Sequence, residues 1–156
     1  MILYLGASSL VKFYMQEPDS DLVKAWIRSA EYVATCRIAY TEVISALSIR
    51  YRKGDLSKED YDLVANTFIT DWENFIKVDF DDLEAGNLSM KYDLPRLSAM
   101  HLSAARLLAR EYMKCKAAYS SEINGGPETA VFFSSADPLL CQAALNEGLT
   151  VLSLRQ

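Results

Sequence analysis

Apolar residues recur along this chain in two rhythms. Short β-type runs at 2–5, 32–35, 77–80, 131–134 and 150–154 read as strands, and the first and fourth read as buried ones. Between them lie longer stretches with helical spacing. Leu10, Val11, Phe13 and Tyr14 begin a first helix to about 15, after a tight turn made by Gly6, Ala7, Ser8 and Ser9. Leu22, Val23, Trp26 and Ile27 form one stripe of a second helix over 20–29, set off by Pro18. Val43, Ile44, Leu47 and Tyr51 mark a third over 38–53, stopped by Gly54. Ser57-Lys58-Glu59-Asp60 has capping-box form and opens a fourth to about 75. Asp81-Asp82 suits the start of a fifth, to about 92. After Pro95, Ser98 opens a sixth to about 116, and Asp137-Pro138 starts a seventh that ends at Gly148. Residues 117–129, polar and rich in Gly and Pro, read as a loop.

Strands that alternate with helices imply an α/β fold, with a central, mostly parallel sheet covered on both faces. The carboxyl edge of such a sheet is where ligands and reacting groups gather. The first strand therefore matters most, because it runs straight into a Gly/Ser turn and a helix.

Length and composition narrow the class. The chain has 156 residues, 51 % of them hydrophobic, which fits one domain over 1–156 with a real core. No apolar run approaches the ~18 residues that span a bilayer. Residues 1–14 lack a basic leader region, so a cytoplasmic protein without a membrane is expected. Cys36, Cys115 and Cys141 are odd in number, and no CxxC pair occurs, as in a reduced protein. One histidine, His101, rules out a His-rich zinc site. A net charge of −5 argues against nonspecific coating of nucleic acid, but leaves room for an acidic pocket that meets phosphate through metal ions.

Individual residues carry both local and chemical readings. Gly6 and Ser98 stand where helices begin, and both types are acceptable N-caps. Asp137 before Pro138 is a cap-and-start signal that needs no metal. Glu42 lies inside a helix among apolar neighbours, where a buried acid needs a partner; Arg96 and Lys12 are candidates. His101 falls three residues after Ser98 on the same helix face and reads as packed and hydrogen-bonded, with general base as the alternative. Asp79, Asp81, Asp82 and Asp93 are charges of loops and helix starts that a rebuilt acidic site would recruit. The hydroxyls and N–H groups of the Gly-Ala-Ser-Ser turn suit an anion. GxSxG fails at Leu10, so a serine hydrolase is excluded. Arg50, Tyr51, Arg52 and Lys53 offset the macrodipole of the third helix or meet a phosphate backbone.

Four segments taken together resemble the PIN domain, the metal-dependent ribonuclease fold of many type II toxin–antitoxin toxins. Tyr4 to Tyr14 (YLGASSLVKFY) is similar to YLDTSALVKLY. Thr41-Glu42 matches a Ser/Thr-Glu pair after the second strand. Leu94 to Ser103 (LPRLSAMHLS) is like LRxxDAxHLA, and Ser135-Ala136-Asp137 with Gly148-Leu149 is like TxD followed by a helix ending in GL. The resemblance implies a PIN-like three-layer fold and four converging carboxylates that hold one or two Mg²⁺ or Mn²⁺ ions. It assigns catalytic and metal-binding roles to Glu42 and Asp137. The other two acidic positions fall on Gly6 and Ser98, which are vestigial here. Ser8, Ser9, Lys12 and Arg96 are the residues nucleic acid or an anion would meet. RNA, an antitoxin-like protein and a second copy of the chain are the implied partners.

The two missing acids carry weight. A carboxylate about 4 Å from a divalent cation contributes roughly 8 kcal/mol before desolvation, at an effective dielectric near 20. Losing two such ligands weakens metal binding by orders of magnitude. Three readings follow: a degenerate toxin relative with impaired or lost ribonuclease activity, a working nuclease with a rebuilt site, or a non-catalytic RNA- or protein-binding module.

Overall fold

The computed structural model describes residues 1–119 and 130–154. Five strands, β1 (Ile2–Leu5), β2 (Tyr32–Cys36), β3 (Ile76–Val78), β4 (Val131–Ser134) and β5 (Thr150–Val151), form one sheet in the order β3-β2-β1-β4-β5. Every pairing is parallel. Among the described residues, seven helices connect them: α1 (Ala7–Tyr14), α2 (Ser20–Ser29), α3 (Ala39–Arg52), α4 (Lys58–Trp72), α5 (Asp82–Tyr92), α6 (Arg96–Tyr119) and α7 (Pro138–Asn146). The α/β class, the mainly parallel sheet and its helical cover match the expectation from the hydrophobic rhythm.

β1 is the central strand, bonded to β2 on one side and β4 on the other. That explains its uninterrupted apolar run, since its alternate side chains enter two different cores. Leu3 and Leu5 pack with Leu10, Val43, Leu47 and Phe68 on the face covered by α1, α3 and α4. Tyr4 joins Leu102, Ala105, Phe133 and Leu140 on the opposite face, under α6 and α7. Phe68 is fully buried amid Tyr14, Tyr40 and Trp72, which makes it the centre of an aromatic cluster.

Several boundaries move. The turn read over Gly6 to Ser9 shrinks to Gly6 alone, because the N–H groups of Ser9 and Leu10 both donate to the Gly6 carbonyl and start α1 at Ala7. α6 begins at Arg96, before Ser98, with Ala99 N donating to Pro95 O at 3.0 Å. Proline lacks the N–H that a helix start leaves unbonded, so Pro95 opens this helix and Ser98 sits within its first turn. α4 stops at Trp72, three residues short of expectation, where Lys77 Nζ donates to the Trp72 and Glu73 carbonyls. β3 is Ile76–Val78 where 77–80 was expected, and β5 holds two residues. α6 runs through 117–119; the rest of the expected loop lies outside the described residues.

The caps at Asp81 and Asp137 form as read, accepting from Glu84 N and Leu139 N. Gly54 and Gly148 follow α3 and α7 with φ of 83° and 85°, a left-handed turn that side chains resist. Among the described residues no helix is long and apolar enough to cross a membrane, and the three cysteines are free.

Phe68→Ala removes the largest fully buried side chain of the α3/α4 core and is expected to cost about 3–5 kcal/mol in urea unfolding. Leu63→Ala, on the same helix but 66 % exposed, should change stability by less than about 0.5 kcal/mol.

Candidate functional site

In the strand order 3-2-1-4-5 the chain leaves β1 toward β2 and later returns on the other side at β4. The gap between the carboxyl ends of β1 and β4 is thus the place where connections diverge and a cleft opens. The cleft found there encloses about 450 Å³ and is lined by Gly6, Glu42, Arg96, Ser98, His101 and Asp137, with Ser8 and Ser135 at its wall. Four positions singled out from sequence, Gly6, Glu42, Ser98 and Asp137, are therefore brought together from α1, α3, α6 and α7.

Gly6 is the N-cap of α1, with φ −66° and ψ 161°, angles open to any residue. Its N–H donates to Ser134 O at 2.9 Å, and the neighbouring Leu5 carbonyl accepts from Thr35 Oγ1 at 2.7 Å. A Cβ added at Gly6 would lie 3.5 Å from Ser135, an ordinary contact. The backbone does not demand glycine here; the position lacks only a side chain.

Asp137 is used on both oxygens. Oδ1 accepts from Leu139 N at 3.0 Å, and Ser98 Oγ donates to Oδ2 at 3.3 Å, a long bond for a hydroxyl on a carboxylate. Ser135 Oγ accepts from Asp137 N, and Ser8 Oγ from Ala136 N, which pins the β4–α7 turn against α1. Serines at the two strand ends thus knit the base of the cleft.

Glu42 sits in the first turn of α3, on the sheet face opposite α6. It nevertheless meets α6: its Oε1 is 2.7 Å from His101 Nε2, and His101 Nδ1 is 2.8 Å from the Tyr4 hydroxyl. With a neutral imidazole, one arrangement of protons satisfies all three. The carboxylate only accepts, so Nε2–H donates to it, and Nδ1 accepts from the Tyr4 O–H. Burial pushes the Tyr4 phenol well above its usual range, with the nearby Cys36 thiol and the Glu42 carboxylate acting in the same direction, so its proton stays in place. His101 is 3 % exposed and Tyr4 fully buried, which makes this a sealed donor chain. His101 is thus packed and hydrogen-bonded, while the partner of Glu42 is neither Arg96 nor Lys12.

The remaining candidates are spread out. Lys12 pairs with Glu17 at 3.4 Å, donates to Pro18 O at 2.9 Å, and lines a neighbouring hollow with Pro18, Asp19 and Cys141. Ser9 is buried with its hydroxyl 3.3 Å from that of Ser134, whereas Ser8 and Arg96 are exposed at the cleft. Asp79 pairs with Arg37, Asp81 caps α5, Asp82 accepts from Leu83 N, and Asp93 ends α5 with φ 54°. None of these acids lines the cleft. Arg50 of the basic-aromatic cluster is held by Glu17 and Asp55, each at 3.0 Å.

The residues present do not fit a two-metal centre. Among the described residues no three His, Cys, Asp or Glu side chains stand close enough to hold an ion. Glu42 and Asp137 are the carboxylates of the cleft, and both are already engaged. Sequence reading missed the Tyr4 hydroxyl as a member of the site. The signal available was a lone tyrosine in an otherwise aliphatic central strand, a polar group that burial obliges to find a partner.

No protein-family model matches the chain. It is 26 % identical over 106 residues to ribonuclease VapC46 of Mycobacterium tuberculosis, covering 68 % of this chain and 75 % of that protein. PAE2754 of Pyrobaculum aerophilum shares the fold at a TM-score of 0.61 and 16 % identity, over 97 % of this chain and 92 % of that one. VapBC2 of Rickettsia felis, solved bound to a DNA fragment from their promoter, aligns at 0.59 and 14 % identity, over 99 % and 100 % of the two chains.

Tyr4→Phe leaves His101 Nδ1 buried without its donor and is expected to cost about 1–3 kcal/mol in urea unfolding. Phenolate absorbance in an alkaline titration gives a second check. Burial raises both Tyr4 and Tyr14, with the Asp71 carboxylate adding to the rise at Tyr14. Their protonated forms support the fold fully below pH about 10, and that support is lost as pH climbs toward their raised values. Two tyrosines should therefore ionise only with unfolding, and Tyr4→Phe should remove one of them; ionisation of all tyrosines near pH 10 would contradict the sealed chain.

Proposed function

We propose that this chain, PIN-like in fold and similar in sequence to a VapC ribonuclease, is a toxin-type relative whose cleft serves binding and whose metal-dependent RNA cleavage is impaired or lost. One observation carries the reading. Of the four positions where the resembled family places carboxylates, two hold Gly6 and Ser98, and the other two are committed to His101 and to the cap of α7. The stand-in acids that a rebuilt nuclease site would need are occupied elsewhere on the surface.

The partner in this reading is an antitoxin-like protein in the cytoplasm, since the relatives include VapBC2. Beside the cleft, Ile38, Thr41, Ser45, Ala46, Ile49 and Leu97 line an apolar trough that shares Glu42 with it. Ile49 and Leu97 are each 40 % exposed, a surface that favours contact with another apolar side chain over water. RNA contact falls to Ser8 and Arg96, and pairing with a second copy belongs to the same reading.

Cleavage of a structured RNA pool in millimolar Mn²⁺ tests the proposal. The native chain should release no more product than its Glu42→Gln variant, and its expression should not arrest growth. Native cleavage that Glu42→Gln abolishes would overturn it in favour of a working nuclease.

A further inference from the structure

The disagreement between the cleft's residues and a metal centre has a specific physical form. Two carboxylates share one cavity, yet each is already met by a hydrogen-bond donor. His101 donates to Glu42 at 2.7 Å, and Leu139 N and Ser98 donate to the two oxygens of Asp137. The short, charge-assisted bond to Glu42 is the stronger of these arrangements. The vacancy left by the missing acids is equally local. Gly6 has unstrained extended angles and room for a Cβ, and Ser98 Oγ already points at Asp137.

We infer that this cleft balances its two carboxylates by internal donors and is metal-independent, and that charge at positions 6 and 98 alone separates it from a divalent-cation site. This rests on the reading of the cleft given under Proposed function. An aspartate at 98 would face Asp137 across hydrogen-bond distance, a like-charge contact that is unfavourable until a cation enters. A second at 6 would add a fourth carboxylate to the cleft, beside Ser135 of the β4–α7 turn, in a backbone that accepts it. Gly6→Asp/Ser98→Asp therefore gains cation affinity at the expense of metal-free stability, whereas Gly6→Asn/Ser98→Asn adds the same bulk without the charge.

Mn²⁺ binding by the full chain, followed by electron paramagnetic resonance and by thermal unfolding with and without the ion, reads this directly. Native protein and the Asn pair should show neither saturable binding nor a metal-dependent shift in Tm. The Asp pair should bind at least about 100-fold more tightly, as Coulomb attraction from two added carboxylates requires, and should melt lower than native in chelator but recover in Mn²⁺. Saturable binding by the native chain would overturn the inference, as would a folded Asp pair that stays blind to Mn²⁺ or an Asn pair that binds as well. Should the Asp pair fail to fold, Ser98→Asp alone is expected to bind more tightly than native, and equal affinity would count against the inference. RNA cleavage by a native chain that binds no Mn²⁺ would sink the functional reading and leave this one standing.

Discussion

The contact between Glu42 and His101 joins two helices that lie on opposite faces of the sheet. α3 belongs to the core built on Leu3 and Leu5, and α6 to the core built on Tyr4. Apolar packing holds each helical layer to the strands, and over the carboxyl edge the two layers meet through polar side chains. A buried imidazole must satisfy both ring nitrogens, so the position of α3 relative to α6 is set by a carboxylate on one side and a phenol on the other. The relative placement of the two layers at the cleft therefore rests on Glu42, His101 and Tyr4, whose polar atoms are spent on one another.

Neither Gly6 nor Ser98 needs a charge for its place in the fold. At Gly6 the helix start needs only backbone groups, because the Gly6 carbonyl accepts from Ser9 and Leu10. At Ser98 a hydroxyl one turn into α6 still reaches Asp137. Each position does its local structural task without a charge. Asp137 shows the converse: its cap on α7 gives it a structural reason to persist whatever the cleft does.

Local signals in the sequence carried most of the fold. The Asp81 and Asp137 caps, the glycine stops after α3 and α7, and the apolar runs of β1 and β4 each act within a few residues, and each is found where the pattern placed it. Boundaries slipped where two local rules competed. Pro95 and Ser98 are both acceptable helix openers, and the proline prevailed because its missing N–H lies where a helix leaves one unbonded. The convergence of Gly6, Glu42, Ser98 and Asp137 was legible through family resemblance. What each acid touches was not, since the Glu42–His101 contact spans 59 residues and the Ser98–Asp137 contact 39, and no periodicity encodes such distances. Arg96 and Lys12 were reasonable partners for Glu42 by charge alone; Lys12 turned instead to Glu17, five residues away.

His101 is also the chain's single histidine. In a proton spectrum its ring C–H protons and the N–H aimed at Glu42 give one isolated set of resonances, with no second imidazole to confuse them. A group that enters the cleft, whether a peptide, a nucleotide or an ion, must pass within the field of that ring. The fold thus carries a built-in, label-free reporter in the lining of its cleft.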